Sequence, residues 1–367
     1  MNLKTEISYE IENKIWDDAL LLNKASTAYQ IADFYQPYRL AFNSKPVFIT
    51  VSNPSGKIVG QLSGVIHLTD YWLESNIISK SISSKFDLGS TLSWFHGPII
   101  HDAENTDEIL SSILLALDKV SIQNNVNLIK GSSPPQMSLP IDVFKKNGYD
   151  IKPWITYITN LQRNMDDVYN TLHNKTRYDI RKGEKKGLDF EVVSKKESYE
   201  LYIDVKYDEE KKVQKLKKLY KEFLNHAWDI SEQKGFEKMF LARFEGKPIS
   251  AMINVLFNRN VVQVGIGNTS DRDLYGGSFL TWNAIRWSSE NNYRTYDVGG
   301  ANPIPVSQKE KGINLFKSKW ASEKFDYFLC TKVFNRTKLN FSKIIKHPTV
   351  IKNKMNRIFS KKIVVSW

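Results

Sequence analysis

Two rhythms of apolar and polar positions run through this chain, and they occur twice in the same order. The segment "KPVFITVSNPSGKIVGQLSGVIHL" has the alternation and β-branched content of two strands, 46–52 and 57–68, joined by an Asn-Pro-Ser-Gly turn. "NTDEILSSILLALDKVSIQNN" repeats its apolar residues every three or four positions and predicts an amphipathic helix. "VNLIKGSS" then reads as a strand, "PIDVFKKNGYD" as a short helix ending at Gly148, and "IKPWITYITNL" as another strand. Ahead of them, helices are predicted at Trp16–Asn23 and Ala28–Phe34, and "TLSWFHGPII" supplies a strand over 91–96, broken by Gly97-Pro98.

The second half starts over. "NMDDVYNTLHNKTRYDIRKGEKKG" predicts a helix capped by Asn164 and stopped by Gly187, and "LDFEVV" predicts a strand. Helices over 197–206 and 211–234 precede a hairpin, "FEKMFLARFEGKPISAMINVLFNRNVVQVGIG", which turns at Glu245-Gly246. A helix over Ser278–Asn292 and a strand at Tyr293–Val298 follow. No repeat exists at the level of letters; the repeat is one of element order. It predicts two copies of one mixed α/β fold, 1–160 and 161–330, followed by a tail, 331–367.

The length suits two domains, and 41% hydrophobic with 12% aromatic residues suits packed cores rather than disorder. Cys330 is the single cysteine, so no disulfide forms within the chain, and a reducing compartment is expected. The start "MNLKTEISYE" has no apolar core of a signal peptide, and runs such as "ILLAL" are too short to span a bilayer. A cytoplasmic protein is expected. The formal charge of +12 is uneven: ten Lys or Arg and no acid fall after residue 330, leaving +2 for the rest. In the tail, Ile351, Met355, Ile358 and Phe359 share a helical face among those bases, which suits peripheral contact with an anionic inner membrane face or with tRNA. DNA is not expected as a partner.

Several chemistries are excluded. No G-x-S-x-G, P-loop or dinucleotide loop is present, and the six histidines show no metal spacing. His96 and His101 flank the Gly97-Pro98 turn as structural or substrate-facing residues. The informative stretch is "YRTYDVGGANP", where a strand ends on Asp297 and Gly299-Gly300. Strand exits of this kind are where ligands meet backbone. Asp297 either holds and deprotonates an amine or simply caps the Gly-Gly loop. Arg177, Arg181 and Lys185 lie at i, i+4 spacing, a repulsive stripe that an anion would relieve, with Arg181 and Lys182 placed for phosphates. Phe316 and Trp320 are spaced to pack inward, leaving Lys317 for the pocket or solvent.

"SDRDLYGGS", with Arg272 before Gly276-Gly277 at a helix start, resembles the phosphate-cradling loop of acyl-CoA-dependent N-acetyltransferases, with its glycines shifted and doubled. "HNKTRYDIRKGEKKGLDFEV", "GGSFLTWNAIRWSSENNYRTYDVGGANP" and "GINLFKSKWASE" together resemble the Fem-type peptidoglycan-bridge aminoacyltransferases. They equally resemble the wider FemAB-like N-acyltransferases of cell-surface polysaccharide clusters. The resemblance covers most of 165–325. It implies two tandem GNAT-like domains, with mostly antiparallel sheets flanked by helices. It also implies transfer of an acyl group from acyl-CoA (acetyl-CoA) or aminoacyl-tRNA, without a metal, to an amine on a nucleotide- or lipid-linked sugar or peptide. On this reading Asp297 and Lys317 are catalytic, while Gly299, Gly300 and Phe316 line the substrate. The long helical arm of some members is absent, and "FKSKW" stands where a glycine-rich F-K-x-G-F-G is usual. A catalytically inactive double-GNAT protein that binds anionic lipid or glycan is the alternative.

Overall fold

A computed structural model describes residues 2–68, 90–206, 214–320 and 323–339. The first half runs β1 (Lys4–Ser8), α1 (Asn13–Leu21), a 3-10 turn (Ala28–Gln30), α2 (Gln36–Phe42), β2 (Lys45–Ser52), β3 (Ile58–Leu68), β4 (Ser90–Ser93), β5 (Ile99–Ile100), α3 (Thr106–Gln123), β6 (Val126–Ser132), α4 (Ile141–Lys146) and β7 (Asp150–Asn160). The second runs α5 (Met165–Thr171), α6 (Asn174–Lys185), β8 (Asp189–Val192), α7 (Lys196–Tyr199), α8 (Leu201–Lys206), α9 (Gln214–Lys234), β9 (Glu237–Phe244), β10 (Lys247–Phe257), β11 (Asn260–Asn268), α10 (Gly276–Glu290), β12 (Thr295–Asp297), α11 (Gln308–Lys317) and β13 (Glu323–Val333). From β1 and β8 onward the strand-and-helix order of the two halves corresponds, as the sequence pattern predicts.

The two halves share one sheet. Its order is β1-β2-β3-β4-β6-β13-β7-β12-β11-β10-β9-β8, with β5 beside β3. The last strand of each half is exchanged: β13 pairs with β6, and β7 pairs with β12. The exchanged strands also pair with each other, antiparallel from Glu323↔Ile158 to Thr331↔Asp150. Every other neighbour pair on that path is antiparallel except β4 with β6 and β11 with β12, which are parallel. The continuous backbone ladder holds the halves at a set spacing, and the residues on β7, β12 and β13 are therefore positioned by both.

Four apolar clusters cover the sheet. One lies under α3 and α4, around Ile113, Leu117 and Phe144. A second lies under α5, α6 and α10, around Phe240, Leu280 and Tyr296. A third packs α8 and α9 on β9 and β10. The fourth joins the halves: Trp16, Tyr35 and Phe48 from the first meet Phe236, Val255 and Val262 from the second. Burial of such side chains is worth about 1.5–3 kcal/mol each.

Local chemistry accounts for the departures from the sequence pattern. The helix expected over 164–187 is two helices. Asn164 caps the first by accepting from Asp166 N at 2.8 Å, and His173 caps the second by accepting from Lys175 N at 3.2 Å. Residues Ala28–Phe34, expected as a helix, form only a short turn, because the Gln30 amide is drawn to the Phe95 carbonyl at 2.6 Å. The strand expected to reach 96 ends at Ser93, and His96 takes a left-handed backbone (φ 46). The basic-tail expectation beyond 339 lies outside the described residues, and among those described no helix is long and apolar enough to cross a membrane.

Candidate active site

The second half opens a wedge between its parallel strands. β11 and β12 pair only over Asn260↔Thr295 to Val262↔Asp297. Beyond that the chain after Asp297 leaves β11 and stays on β7, with Val298 N donating to Tyr157 O at 3.1 Å and Ala301 N to Ile155 O at 2.7 Å. At the same level β11 bulges. Its register on β10 jumps from Asn254↔Gln263 to Ile253↔Gly265, so Val264 has no partner there. Bulges beside such openings re-aim backbone groups toward ligands. The gap forms a cleft of about 940 Å³, lined by Gln263, Ile266 and Asn268 of β11, Gly276–Ser278 at the start of α10, and Phe316 and Lys317 of α11.

Lys317 lines the cleft, and buried Asp297 lies near enough that each charge shifts the titration of the other. Asp297 is buried, and its Oδ1 accepts from the Thr156 hydroxyl and from Gly299 N at 2.7 Å. Oδ2 carries no hydrogen bond among the described residues. Burial raises the carboxyl pKa to about 6, against the hydrogen bonds from Thr156 and Gly299 and the charge of Lys317, which lower it. Lys317 Nζ donates to Gly300 O at 2.8 Å. Burial lowers its pKa to about 8, and the Asp297 charge opposes that fall. A carboxylate that ionises near 6 beside an ammonium that ionises near 8 suits proton handling at neutral pH.

The backbone between them is specialised. Gly299 has φ 82, and a Cβ there would lie 2.9 Å from Gln263 O and 3.1 Å from Lys317 Nζ. Gly299→Ala is therefore expected to cost about 1–2 kcal/mol from backbone conformation alone and to displace Lys317. Thermal melting and turnover should fall together; a variant with both unchanged would show that the loop has room to spare. Lys317 is positioned by α11, whose start is locked by a reciprocal pair: Ser307 Oγ accepts from Glu310 N, and Glu310 Oε2 accepts from Ser307 N, both at 3.1 Å.

Residues 172–305 match the model of the acetyltransferase (GNAT) domain family. Over 93% of this chain and 100% of the other, the structure is similar to the crystal structure of FemX, at 12% identity and a TM-score of 0.67. The fold is a FemX-like tandem GNAT fold. It is also similar to a tandem GNAT protein from the clavulanic acid biosynthesis pathway (11% identity, 90% of this chain, 98% of that one, TM-score 0.54). L-PGS from Bacillus licheniformis is a third similar structure (12% identity, 93% and 99%, TM-score 0.51). No curated protein sequence matches the chain.

The first GNAT half has the same parallel strand pair, but its wedge is closed. Beyond the β4–β6 ladder, Trp94 N still bonds to Lys130 O at 3.1 Å and Gly97 N to Ser132 O at 2.9 Å. The Trp94 ring lies flat against Gly131, where any side chain would collide with it. The open wedge therefore belongs to the second half.

Among the residues singled out by sequence, the structure brings Asp297, Lys317, Phe316, Gly276, Gly277, Gly299 and Gly300 to this wedge. Arg177 instead bonds to Asn170 O at 3.0 Å and to the Asn174 side chain, and Arg181 is exposed. Lys182 lies over the Tyr178 ring, 5.4 Å from its centre. Arg272 opens a short 3-10 helix, Arg272–Leu274. Arg177, Arg181 and Lys182 are not among the residues that line the cleft; from α6 the lining residues are Lys175 and Asp179. The i, i+4 pattern of bases on α6 marked the right helix and the neighbouring stripe. Gln263, Lys206 and Lys309 also line the cleft, and no local motif marks them. Trp320 packs inward as its spacing suggests, 5.6 Å from the Phe316 ring. Cys330 is a buried core residue of β13. Among the described residues, no group of three or more His, Cys, Asp or Glu is placed to hold a metal ion.

Proposed function

We propose that this protein is an N-acyltransferase that moves an acyl or aminoacyl group from acyl-CoA or aminoacyl-tRNA to an amine of a cell-envelope precursor. The observation that carries the proposal is the electrostatic coupling of Asp297, at the point where the GNAT wedge opens, with Lys317 in the cleft lining. The amine nitrogen attacks the donor carbonyl carbon directly, and no enzyme-bound acyl group is needed. The new C–N bond forms as the C–S bond of a thioester, or the C–O bond of a tRNA ester, breaks. Asp297 takes the amine proton, and the thiolate or ribose oxygen leaves and is protonated. Lys317 offsets the negative charge that builds on the carbonyl oxygen. FemX supports the envelope reading through its fold and through the motif resemblance described above. Contact of the basic tail with the inner membrane face belongs to the same proposal, since a lipid-linked acceptor would lie there.

Donor class is open to a direct test. Lys175, Lys206 and Lys309 line the cleft and suit the phosphates of a ligand seated in it. Arg177, Arg181 and Lys182 lie outside that lining and suit only a polyanion that extends past the mouth. Arg177→Ala with Arg181→Ala should then leave the KM for acetyl-CoA within about twofold. The same pair should weaken aminoacyl-tRNA by about tenfold or more, in a salt-dependent way. Labelled transfer with each donor, in parent and double variant, decides. A donor that neither protects the protein against heat nor supports transfer is removed from the proposal, and failure of both overturns it.

A further inference from the structure

Beside Asp297, and apart from the donor wedge, three side chains from distant parts of the chain converge. Tyr29 comes from the 3-10 turn of the first half, His96 from the loop after β4, and Tyr327 from the exchanged strand β13. The His96 ring lies edge-on to both phenols, 4.9 Å from Tyr29 and 5.9 Å from Tyr327 between ring centres. Both tyrosines feel the Asp297 charge, and burial with that charge keeps both phenols protonated. The Tyr327 hydroxyl and the Trp154 indole nitrogen close over Gly300, where any side chain would strike them. This cluster therefore sits over the Gly299-Gly300 loop that follows Asp297 and whose Gly300 carbonyl accepts from Lys317.

Its polar atoms are unusually idle. His96 is 7% exposed, and its Nδ1 is buried without a hydrogen-bond partner. Neither the Tyr29 nor the Tyr327 hydroxyl makes a hydrogen bond among the described residues. Burial holds the imidazole neutral, with its pKa lowered to about 3, so it offers one acceptor and one donor at any working pH. A buried nitrogen left unpaired forfeits the hydrogen bond it would make in water, which a ligand's hydroxyl would restore.

We propose that Tyr29, His96 and Tyr327 form the acceptor subsite, and that it takes the hydroxylated, uncharged ring of an amino sugar, with the sugar's amine directed to Asp297. The assignment rests on the transferase reading given above. The aromatic faces suit the C–H face of a pyranose, and the idle hydroxyls and imidazole suit its O–H groups. Tyr29, His96, Tyr327 and Trp154 carry no charge, so an acceptor's phosphate or carboxylate would not be held among them. A lysine side chain would bring only methylenes to these polar atoms and leave them unpaired. On this view the first half, whose own wedge is closed by Trp94, has become the part that reads the acceptor.

The test uses the full chain with D-glucosamine and Nα-acetyl-lysine amide as acceptor probes. Tyr29→Phe, Tyr327→Phe and His96→Gln keep bulk and remove one polar partner each. Calorimetric titration should show glucosamine binding to the parent and about tenfold weaker binding to each variant, with lysine amide binding poorly throughout. In transfer assays the KM for glucosamine should rise by the same factor, with kcat within about threefold and donor KM unchanged. Glucosamine binding that is absent in the parent, or unchanged in all three variants, overturns the subsite, as does equal use of lysine amide. Binding that behaves as expected without transfer from either donor would instead overturn the transferase reading and leave the subsite standing.

Discussion

Asp297→Asn should lower kcat for transfer by about 10²–10⁴-fold while the protein keeps its fold. The asparagine retains Oδ1 for the Thr156 hydroxyl and the Gly299 N–H but has no basic oxygen for the amine proton. The stability effect has a definite sign. Folded Asp297 has a pKa raised to about 6 from 3.8, so the fold favours its protonated form. That contribution is fully present below 3.8, the unfolded value, and is lost as pH rises through about 6. At pH 7 the ionised side chain therefore destabilises the native state, by at most about 3 kcal/mol on a two-unit shift. The variant should melt no lower than the parent at pH 7, and its relative advantage should shrink toward pH 4. A variant that retains full turnover would reduce Asp297 to a cap on the Gly-Gly loop.

Lys317→Met should lower kcat by about 10²–10³-fold with little change in either KM, the pattern of a group that acts on the transition state rather than on the bound substrates. Methionine keeps most of the stem's length and removes the ammonium. In the parent, turnover should rise through pH 6 as Asp297 loses its proton and fall above about pH 8 as Lys317 loses its own. The alkaline limb should vanish in Lys317→Met and the acid limb should remain. A parent profile that is flat from pH 5 to 9 would contradict both assignments. An unchanged kcat in the variant would return Lys317 to a purely structural role, holding the Gly300 carbonyl.

How far the site was legible varies by residue. Asp297, Gly299-Gly300 and Lys317 were visible because strand exits and helix ends leave local signatures: an acid where a strand should be apolar, paired glycines, a lysine next to an inward aromatic. Thr156, which bonds to Asp297 across 141 positions of sequence, leaves no such mark. Nor do Tyr29 and Tyr327, which stand between Ala28 and Gln30 and between Asp326 and Phe328 with no motif around them. His96 stands out in the sequence only beside a Gly-Pro turn, as a structural or substrate-facing residue. The arginines of α6 were conspicuous, but a helix shows each residue one face only, and the cleft meets the face bearing Lys175 and Asp179.

By itself the sequence determined the rhythm of the two halves, because strand and helix periods are imposed by local geometry and survive without knowledge of neighbours. It likewise determined that a strand ends in an acid before two glycines, and that a helix over 174–187 carries a basic stripe. Only the tertiary structure decided which strands pair. The exchange of β7 and β13 brings Thr156 and Tyr327 to the β7 side of Asp297, and it depends on hydrogen bonds between backbones that carry no side-chain code. Only the structure decided, too, that one of two equivalent wedges is open. The difference lies in Trp94 seated on Gly131 from another strand, a contact between residues 37 positions apart whose individual letters are unremarkable in either element.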